Sequence, residues 1–502
     1  MPLNYATLEQ VSGWRFLWHR LSVAVGRWNV RLIHDPSKNS RAAYLVGVVA
    51  AGLVMALCFV MAWIKPVGQI GTSTILVDRA TGARWVQVNG VMHPALNLAS
   101  ARLIVGQAEA PTMVPMSEIR KQPMGPALGI VGAPDDLSVR NPAETGWALC
   151  DRLGSVGSQV IPKVTVVAGV PLLGDWAQTM QSPQAVLMTY AGDTFVVTDG
   201  HRSKIDLADR PVTLALGLPV GDLHPAPMSR ALYEALPPTA PLRVPDVPNP
   251  GGPVSYATGK LPLVSGSVVR VQDASGTDQF FIALPAGMQR VPATVATMML
   301  NAGMSGGGRV MTASATEIAS LPQATGFDVS IYPAGHLQLL DKASEPVTCV
   351  AWRKGSGEPQ ARVSTISGRR LPIPVGDDNR VIQLVSGGAN VANAAYIAPD
   401  SANFVQVTGV EADSPRRESM WFITDLGVRF GVQASGNADT DTREALGLSD
   451  APTPAPWTVI RWLPAGPVLS KSAAKIEHDV FAPDPGAAVL PDKPKAATGE
   501  KP

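Results

Sequence analysis

Residues 42–64 read AAYLVGVVAAGLVMALCFVMAWI, 23 consecutive uncharged residues held between Arg41 and Lys65. At 1.5 Å rise per residue, a helix of this length crosses a hydrocarbon core with some tilt to spare. A buried core helix seldom runs so far without a polar face. A cleaved signal peptide has a shorter apolar region and a small-residue cleavage site, whereas this run ends Trp63-Ile64-Lys65-Pro66. Elsewhere the chain has no apolar run of comparable length, so the sequence predicts one membrane crossing.

Working outward, residues 1–41 carry six basic side chains (Arg15, Arg20, Arg27, Arg31, Lys38, Arg41) against Glu9 and Asp35, a formal +4. That excess favours keeping this arm in the cytoplasm. Residues 66–502 carry 34 basic and 38 acidic side chains, net −4, which gives no footing for nucleic-acid binding. Between about Thr7 and Ile33 the arm reads as an amphipathic helix. Trp14, Phe16, Leu17, Trp18, Leu21, Val25, Trp28 and Leu32 are its apolar side, and the arginines with His19 its basic one. Such a helix lies on a membrane surface or docks on a partner, and the sequence leaves both open. His34-Asp35-Pro36 is expected to end it before the span.

Cysteine usage agrees with the orientation. Of three cysteines, Cys58 falls inside the span, leaving Cys150 and Cys349 outside. One pair in a large external domain is expected to form a disulfide, two separate buried thiols being the alternative. Trp147 shortly before Cys150 and Trp352 shortly after Cys349 put both cysteines on core strands.

Glycine and proline together number 92 of 502 residues, so strands are short and turns frequent. The external part contains a degenerate repeat: a strand, a polar turn with Gly or Asp, a second strand, then a small-residue helix. Its copies start at Ile75–Arg79, Ala185–Tyr190, Val268–Val271 and Met420–Thr424. Each is followed by a second short helix opened by a hydroxyl residue suited to capping, at Ser117, Ser229, Thr316 and Ser470. The predicted organisation is a cytoplasmic amphipathic basic arm (1–41), a transmembrane helix (42–64) and repeats at 66–135, 181–240, 262–325 and 415–479. The repeats surround a central β module made from 140–180 and 345–412, and 480–502 form a disordered or partner-bound tail. One hairpin with two short helices cannot bury a core alone, so the copies must pack on something shared. Phe404-Val405-Gln406-Val407 is assigned to that central module. The fold class is α+β: a single N-terminal transmembrane helix followed by an elongated domain of four degenerate repeats.

Chemistry is sparse. The one Gly-Lys pair, Gly259-Lys260, lacks the glycine five residues earlier that a Walker A loop needs. The seven histidines (His19, His34, His93, His201, His224, His336, His478) show no metal-ligand spacing. Gly303-Met304-Ser305-Gly306-Gly307 matches the G-x-S-x-G nucleophile elbow in letters. That elbow requires a strand before the serine and a helix after, and here the order reads reversed. Pro227-Met228-Ser229-Arg230 reads as a helix start. No catalytic, cofactor-binding or metal-ligating residue is nominated.

The chain resembles EccB, a core membrane component of the mycobacterial type VII (ESX) secretion system. The resemblance is carried by Val11-Ser12-Gly13-Trp14-Arg15-Phe16, by Asp78-Arg79 with Gly82, and by His93-Pro94-Ala95-Leu96-Asn97-Leu98-Ala99-Ser100-Ala101-Arg102-Leu103, where a Tyr is common at the His93 place. Gly129-Ile130-Val131-Gly132-Ala133-Pro134, Trp147 with Cys150-Asp151, Pro227 to Pro237, Asp425 to Val432 and Ala455-Pro456-Trp457 also carry it. It implies a cytoplasmic N-terminus, a periplasmic domain of four repeats around a central module, and a disulfide mapping onto Cys150 and Cys349. It further implies work beside the EccC ATPase, EccD, EccE and the mycosin protease, with paired periplasmic domains around a hexameric complex. The implied role is scaffolding; the alternative is a membrane-tethered cell-wall-binding or hydrolytic domain.

Overall fold

The computed structural model describes residues 7–28, 37–64, 70–219, 221, 223–273, 276–304, 309–385, 390–433 and 438–481. The chain forms two units, Met1–Gly71 and Thr72–Pro502.

In the first unit, helix α1 (Leu8–Arg27) begins at Thr7, whose hydroxyl accepts from the Gln10 N–H while the Gln10 side chain accepts from the Thr7 N–H. That reciprocal box satisfies donors the first turn leaves open. Trp28, in the left-handed region at φ 54°, ends the helix, earlier than Ile33. The His34-Asp35-Pro36 break lies outside the described residues. Helix α2 (Ser37–Ile64) contains an apolar segment, Ala42–Met61, none of it buried within the protein.

Among its described residues, the second unit mixes helices and strands around five sheets. The central seven-stranded sheet runs Ile382–Gln383, Ala394–Ile397, Gln159–Ala168, Glu144–Val156, Val347–Gly355, Arg362–Gly368, Ala177–Met180. Its axis is the 144–156 strand, paired antiparallel to 159–168 on one side and to 347–355 on the other. In this register Trp147 faces Trp352 and Cys150 faces Cys349. Strand alternation then separates two faces. Trp147, Leu149, Val350 and Trp352 pack on one, with Cys150, Cys349, Ala148 and Ala351 on the other.

The other four sheets share one connectivity. Three strands run antiparallel in sequence order, a helix follows, and a fourth strand returns parallel to the first before a second short helix. In the first sheet the strands are Ile75–Asp78, Arg84–Val88 and Val91–Ala95, followed by α3 (Leu98–Val105), the return strand Thr112–Val114 and α4 (Met116–Ile119). In the second they are Gln184–Tyr190, Asp193–Thr198, His201–Ile205, α5 (Arg210–Ala215), Ala226–Pro227 and α6 (Arg230–Ala235). The third has Val268–Gln272, Asp278–Leu284, Gly287–Val291, α7 (Ala293–Asn301), Met311–Ala313 and α8 (Ala315–Ala319). The fourth has Phe404–Thr408, Met420–Ile423, Arg429–Val432, α9 (Ala438–Leu446), Thr453–Pro456 and α10 (Trp457–Ile460).

The same closure recurs at the third strand. The N–H groups of Met92, Arg202, Met288 and Arg429 donate to the carbonyls of Pro123, Pro237, Pro322 and Pro464, at 2.7, 3.0, 2.7 and 2.9 Å. Each prolyl segment covers an edge that would otherwise present free backbone groups.

Several sequence expectations change. The hairpin is a three-stranded meander, because Val91–Ala95, His201–Ile205 and Gly287–Val291 also pair. Phe404–Thr408 is the first strand of the fourth sheet, not part of the central one, so Met420–Ile423 is that sheet's second strand. Ser229 does cap α6, accepting from Leu232. Helix α4 instead starts after Pro115 and α10 after Pro456, where proline's fixed φ suits a helix entry, and Ser314 rather than Thr316 caps α8. Ser470 caps a different helix, α11 (Lys471–Ala474). Beyond it, Glu477–His478 pairs with Ala127–Leu128 and joins the first sheet.

These pairings organise the cores. Ala99 and Leu103 of α3 share a cluster with Phe404, Phe422, Phe430, Leu446 and Leu469, so the first and fourth sheets pack together. Leu187 and Val196 share another with Val268, Ile282, Val295 and Met299, uniting the second and third. α6 and α10 cover the tryptophan face of the central sheet through Leu232, Ala235, Val459 and Ile460.

Candidate functional site

Cys150 and Cys349 are disulfide-bonded, 199 residues apart in sequence, and both are fully buried. Directly opposed antiparallel positions bring their Cβ atoms within bonding reach, which is how the fold delivers the pair. Ile366 and Tyr396 belong to the same buried cluster.

One residue later the same strand points an acid the other way. Asp151 is fully buried at the start of α6. The Ser229 N–H donates to Asp151 Oδ2 at 2.7 Å and the Ser229 hydroxyl donates to Oδ1 at 2.6 Å, while Ser229 Oγ accepts from Leu232 N–H at 3.0 Å. Loss of water around the carboxylate outweighs these hydrogen bonds and pushes Asp151 up to about 7. The capping serine thus does two jobs, starting α6 and pinning that helix to the central strand. Nothing in the sequence around Ser229 points to this partner; the one signal is an aspartate directly after the apolar run Trp147–Cys150.

Two arginines brace the same face. Arg429 stacks on Trp421 and Trp457, with 4.5 and 5.0 Å to the ring centroids, and donates to the Leu463 and Arg461 carbonyls. Burial pulls it down to about 10. Arg202, at the corresponding place in the second sheet, lies 3.8 Å from the Tyr233 centroid and donates to the Tyr233 and Leu236 carbonyls. Glu234 of α6 and Arg461 after α10 then form an ion pair at 3.1 Å.

A cavity of about 870 Å³ opens between residues 131–140 and the fourth sheet. Ala133, Pro134, Phe422, Phe430 and Pro464 line it, with Asp135, Asp136, Asp425, Arg140 and Asn403 as its polar groups. Two of the resemblance-bearing strings, around 131–134 and 425–430, meet here. Arg140 pairs with Asp425 at 2.7 Å, and Asp135 accepts from the Leu98 N–H at the start of α3. The Ser138 hydroxyl and amide hold Asp136 below the usual carboxylate range. Asp425 is paired with Arg140 and Asp135 with Arg84 at 3.4 Å, so the lining offers no unpaired lysine or arginine to a polyphosphate, whose charge calls for such cations and clustered backbone N–H groups.

Gly259-Lys260 lies in a turn without a strand before it or a helix after it. Ser305 of the G-x-S-x-G string lies outside the described residues; α7 precedes it and strand Met311–Ala313 follows. His93 and His478 meet the carbonyl oxygens of Pro126 and Gly129. Among the described residues there is no group of three or more His, Cys, Asp or Glu placed to hold a metal ion.

The family described as "Type VII secretion system ESX-1, transport TM domain B" matches residues 3–483. The chain is 39% identical over 497 residues to the ESX-5 secretion system ATPase EccB5 of Mycobacterium tuberculosis H37Rv, covering 97% of each. It is 36% identical over 493 residues to the ESX-3 secretion system ATPase EccB3 of Mycolicibacterium smegmatis, covering 97% and 93%. Among solved structures it is similar to a chain of an intact ESX-5 inner membrane complex, with TM-score 0.76, 37% identity, and 98% and 99% of the two chains covered. It is also similar to a chain of the EccB3 dimer from the ESX-3 core complex, with TM-score 0.71, 33% identity, and 80% and 100% covered. The long apolar helix, the disulfide-pinned mixed domain and these full-length likenesses have a single reading: the chain belongs to the EccB family of type VII secretion systems.

Proposed function

We propose that this chain is a structural core subunit of a type VII secretion inner-membrane complex, scaffolding the pore and forming its periplasmic part through self-association. The observation that carries this reading is the end-to-end likeness to a chain of an intact inner membrane complex, span and external domain together. The dimer of a relative supports self-association. The N-terminal arm is cytoplasmic and the second unit periplasmic: the basic arm favours this orientation, and an oxidising compartment suits the disulfide. The four sheets of common connectivity are copies of one repeat around a central module. EccC, EccD, EccE and the mycosin protease are its partners by family.

The relatives carry the word ATPase in their names, yet we read this chain as non-catalytic. The acidic cavity and the isolated Gly259-Lys260 turn give a nucleoside triphosphate no cradle. The test is the native, detergent-extracted assembly: a large complex that collapses when the chain is deleted is expected. A monomer in mild detergent that sediments with purified peptidoglycan would instead favour the wall-binding alternative. Metal-dependent phosphate release by the purified chain would overturn the non-catalytic part.

A further inference from the structure

Helix α1 carries an apolar face that the described residues do not cover. Val11, Trp14, Leu17, Trp18, Leu21 and Val25 recur at spacings of three and four residues and so share one side. All are exposed, Trp14 at 64%, Trp18 at 60% and Val25 at 72%. Trp14 and Trp18 stack edge to face at 6.2 Å. Arg15 flanks that side and Arg20 and Arg27 lie on the opposite arc, which also carries the apolar Leu8, Phe16 and Val23. The helix is closed by its own capping box, so it needs no neighbouring protein surface to set its start.

What covers that face is argued from two further facts. The charge is predominantly basic: Glu9 is the only acid in the helix, and Arg31, Lys38 and Arg41 against Asp35 follow before the span. The tether is short: residues 29–41 separate Trp28 from Ala42, at most about 45 Å of extended chain. A bilayer surface is therefore always within reach at high effective concentration. Tryptophan on the apolar side and arginine beside it is the composition that lies in a headgroup interface.

We propose that α1 is an interfacial helix. Its Trp14, Trp18, Leu21 and Val25 side enters the boundary between acyl chains and headgroups of an anionic phospholipid leaflet, and Arg15 and Arg20 meet the lipid phosphates. The subunit is thus held by two membrane elements, a span and a helix along the surface. This rests on the membrane-span reading of α2.

The test uses the full chain in nanodiscs of phosphatidylglycerol and phosphatidylcholine, against phosphatidylcholine alone. With Cys58→Ala and the disulfide oxidised, Val25→Cys offers a single thiol for an environment-sensitive fluorophore. The expected result is blue-shifted emission, quenched more by shallow than by deep nitroxide lipids, in the anionic discs. Each of Arg15→Glu and Arg20→Glu lowers the interfacial fraction about fivefold or more, and 0.5 M salt weakens it. Trp14→Glu with Trp18→Glu abolishes the shift. Water-exposed emission in both lipids overturns the proposal, as does a blue shift untouched by lipid quenchers, which marks a protein contact instead. A second chain labelled at Cys58 reports the span: loss of deep quenching there means that the span reading has failed, whereas deep quenching with an exposed Val25 site means that only the interfacial helix has.

Discussion

Replacing Asp151 with asparagine is expected to remove a pH dependence that the wild-type protein carries. Burial raises the folded-state carboxyl from 3.8 to about 7, so between those values the folded protein holds a proton that the unfolded chain has released. Unfolding then sheds a proton, and the contribution of Asp151 to stability falls as pH rises. It is fully present below about pH 4, declines by about 1.4 kcal/mol per unit, and levels off above about pH 7. The span corresponds to about 4 kcal/mol. Asp136, Asp328, Asp341, Glu317 and Glu358 are held low by hydrogen bonds and act with the opposite sign at lower pH, so the wild-type curve alone is ambiguous. The difference between Asp151→Asn and wild type isolates the one site. The amide keeps one acceptor for Ser229 and forfeits the other, at a cost of about 1–2 kcal/mol at pH 4. As pH rises to 8 the variant gains on the wild type by up to about 4 kcal/mol and overtakes it. The assay is urea unfolding of the oxidised full chain in detergent, followed by tryptophan emission from pH 4 to 8. A difference that stays flat across this range refutes the reasoning.

Three further outcomes test the framework. Removing the disulfide by Cys150→Ala with Cys349→Ala opens a loop of 199 residues, worth about 5 kcal/mol in the chain-entropy description; a urea-unfolding change below about 1 kcal/mol would show that the strand register alone holds the sheet. Arg429→Ala removes the guanidinium that lies over the Trp421 and Trp457 rings and leaves the Leu463 carbonyl without its donor, so about 2–3 kcal/mol should be lost, with a shift in tryptophan emission; unchanged emission would contradict the stacking. Gly146→Ala would place a Cβ 2.6 Å from the Gly169 oxygen and the Val170 Cα, backbone atoms that cannot step aside, and should destabilise by about 2 kcal/mol or more. Gly154→Ala on the same strand meets nothing nearer than 3.9 Å and should cost under about 1 kcal/mol; equal effects in a thermal melt would rule out the steric account.

Much of the molecule was legible in one dimension because its determinants are local. The span needs only length and lack of charge, and α1 needs only its periodicity and Thr7 cap. Individual strands and small-residue helices could be marked from alternation and turn residues, and the pairing of Cys150 with Cys349 from compartment and count. Which sheet a strand joins could not. Phe404–Thr408 reads like any buried strand, and its membership of the fourth sheet is decided by backbone pairing with Met420–Ile423 and Thr453–Pro456. The third strands of the first three sheets, Val91–Ala95, His201–Ile205 and Gly287–Val291, do not announce themselves either, since residues such as Pro94 and Gly287 mask strand character that hydrogen bonding imposes.

By itself, then, the sequence determined a membrane-spanning helix, an amphipathic arm, a pair of cysteines outside the span and a family resemblance. Only the tertiary structure decided that Ser229 answers Asp151 from 78 residues away, and that Glu477–His478 returns to the first sheet. It also decided that the strings near 131–134 and 425–430 line one cavity. The physical reason is common to all three. Burial and hydrogen-bond partners are set by residues distant along the chain, and a carboxylate, a strand edge or a glycine-rich turn acquires its meaning from what is packed against it.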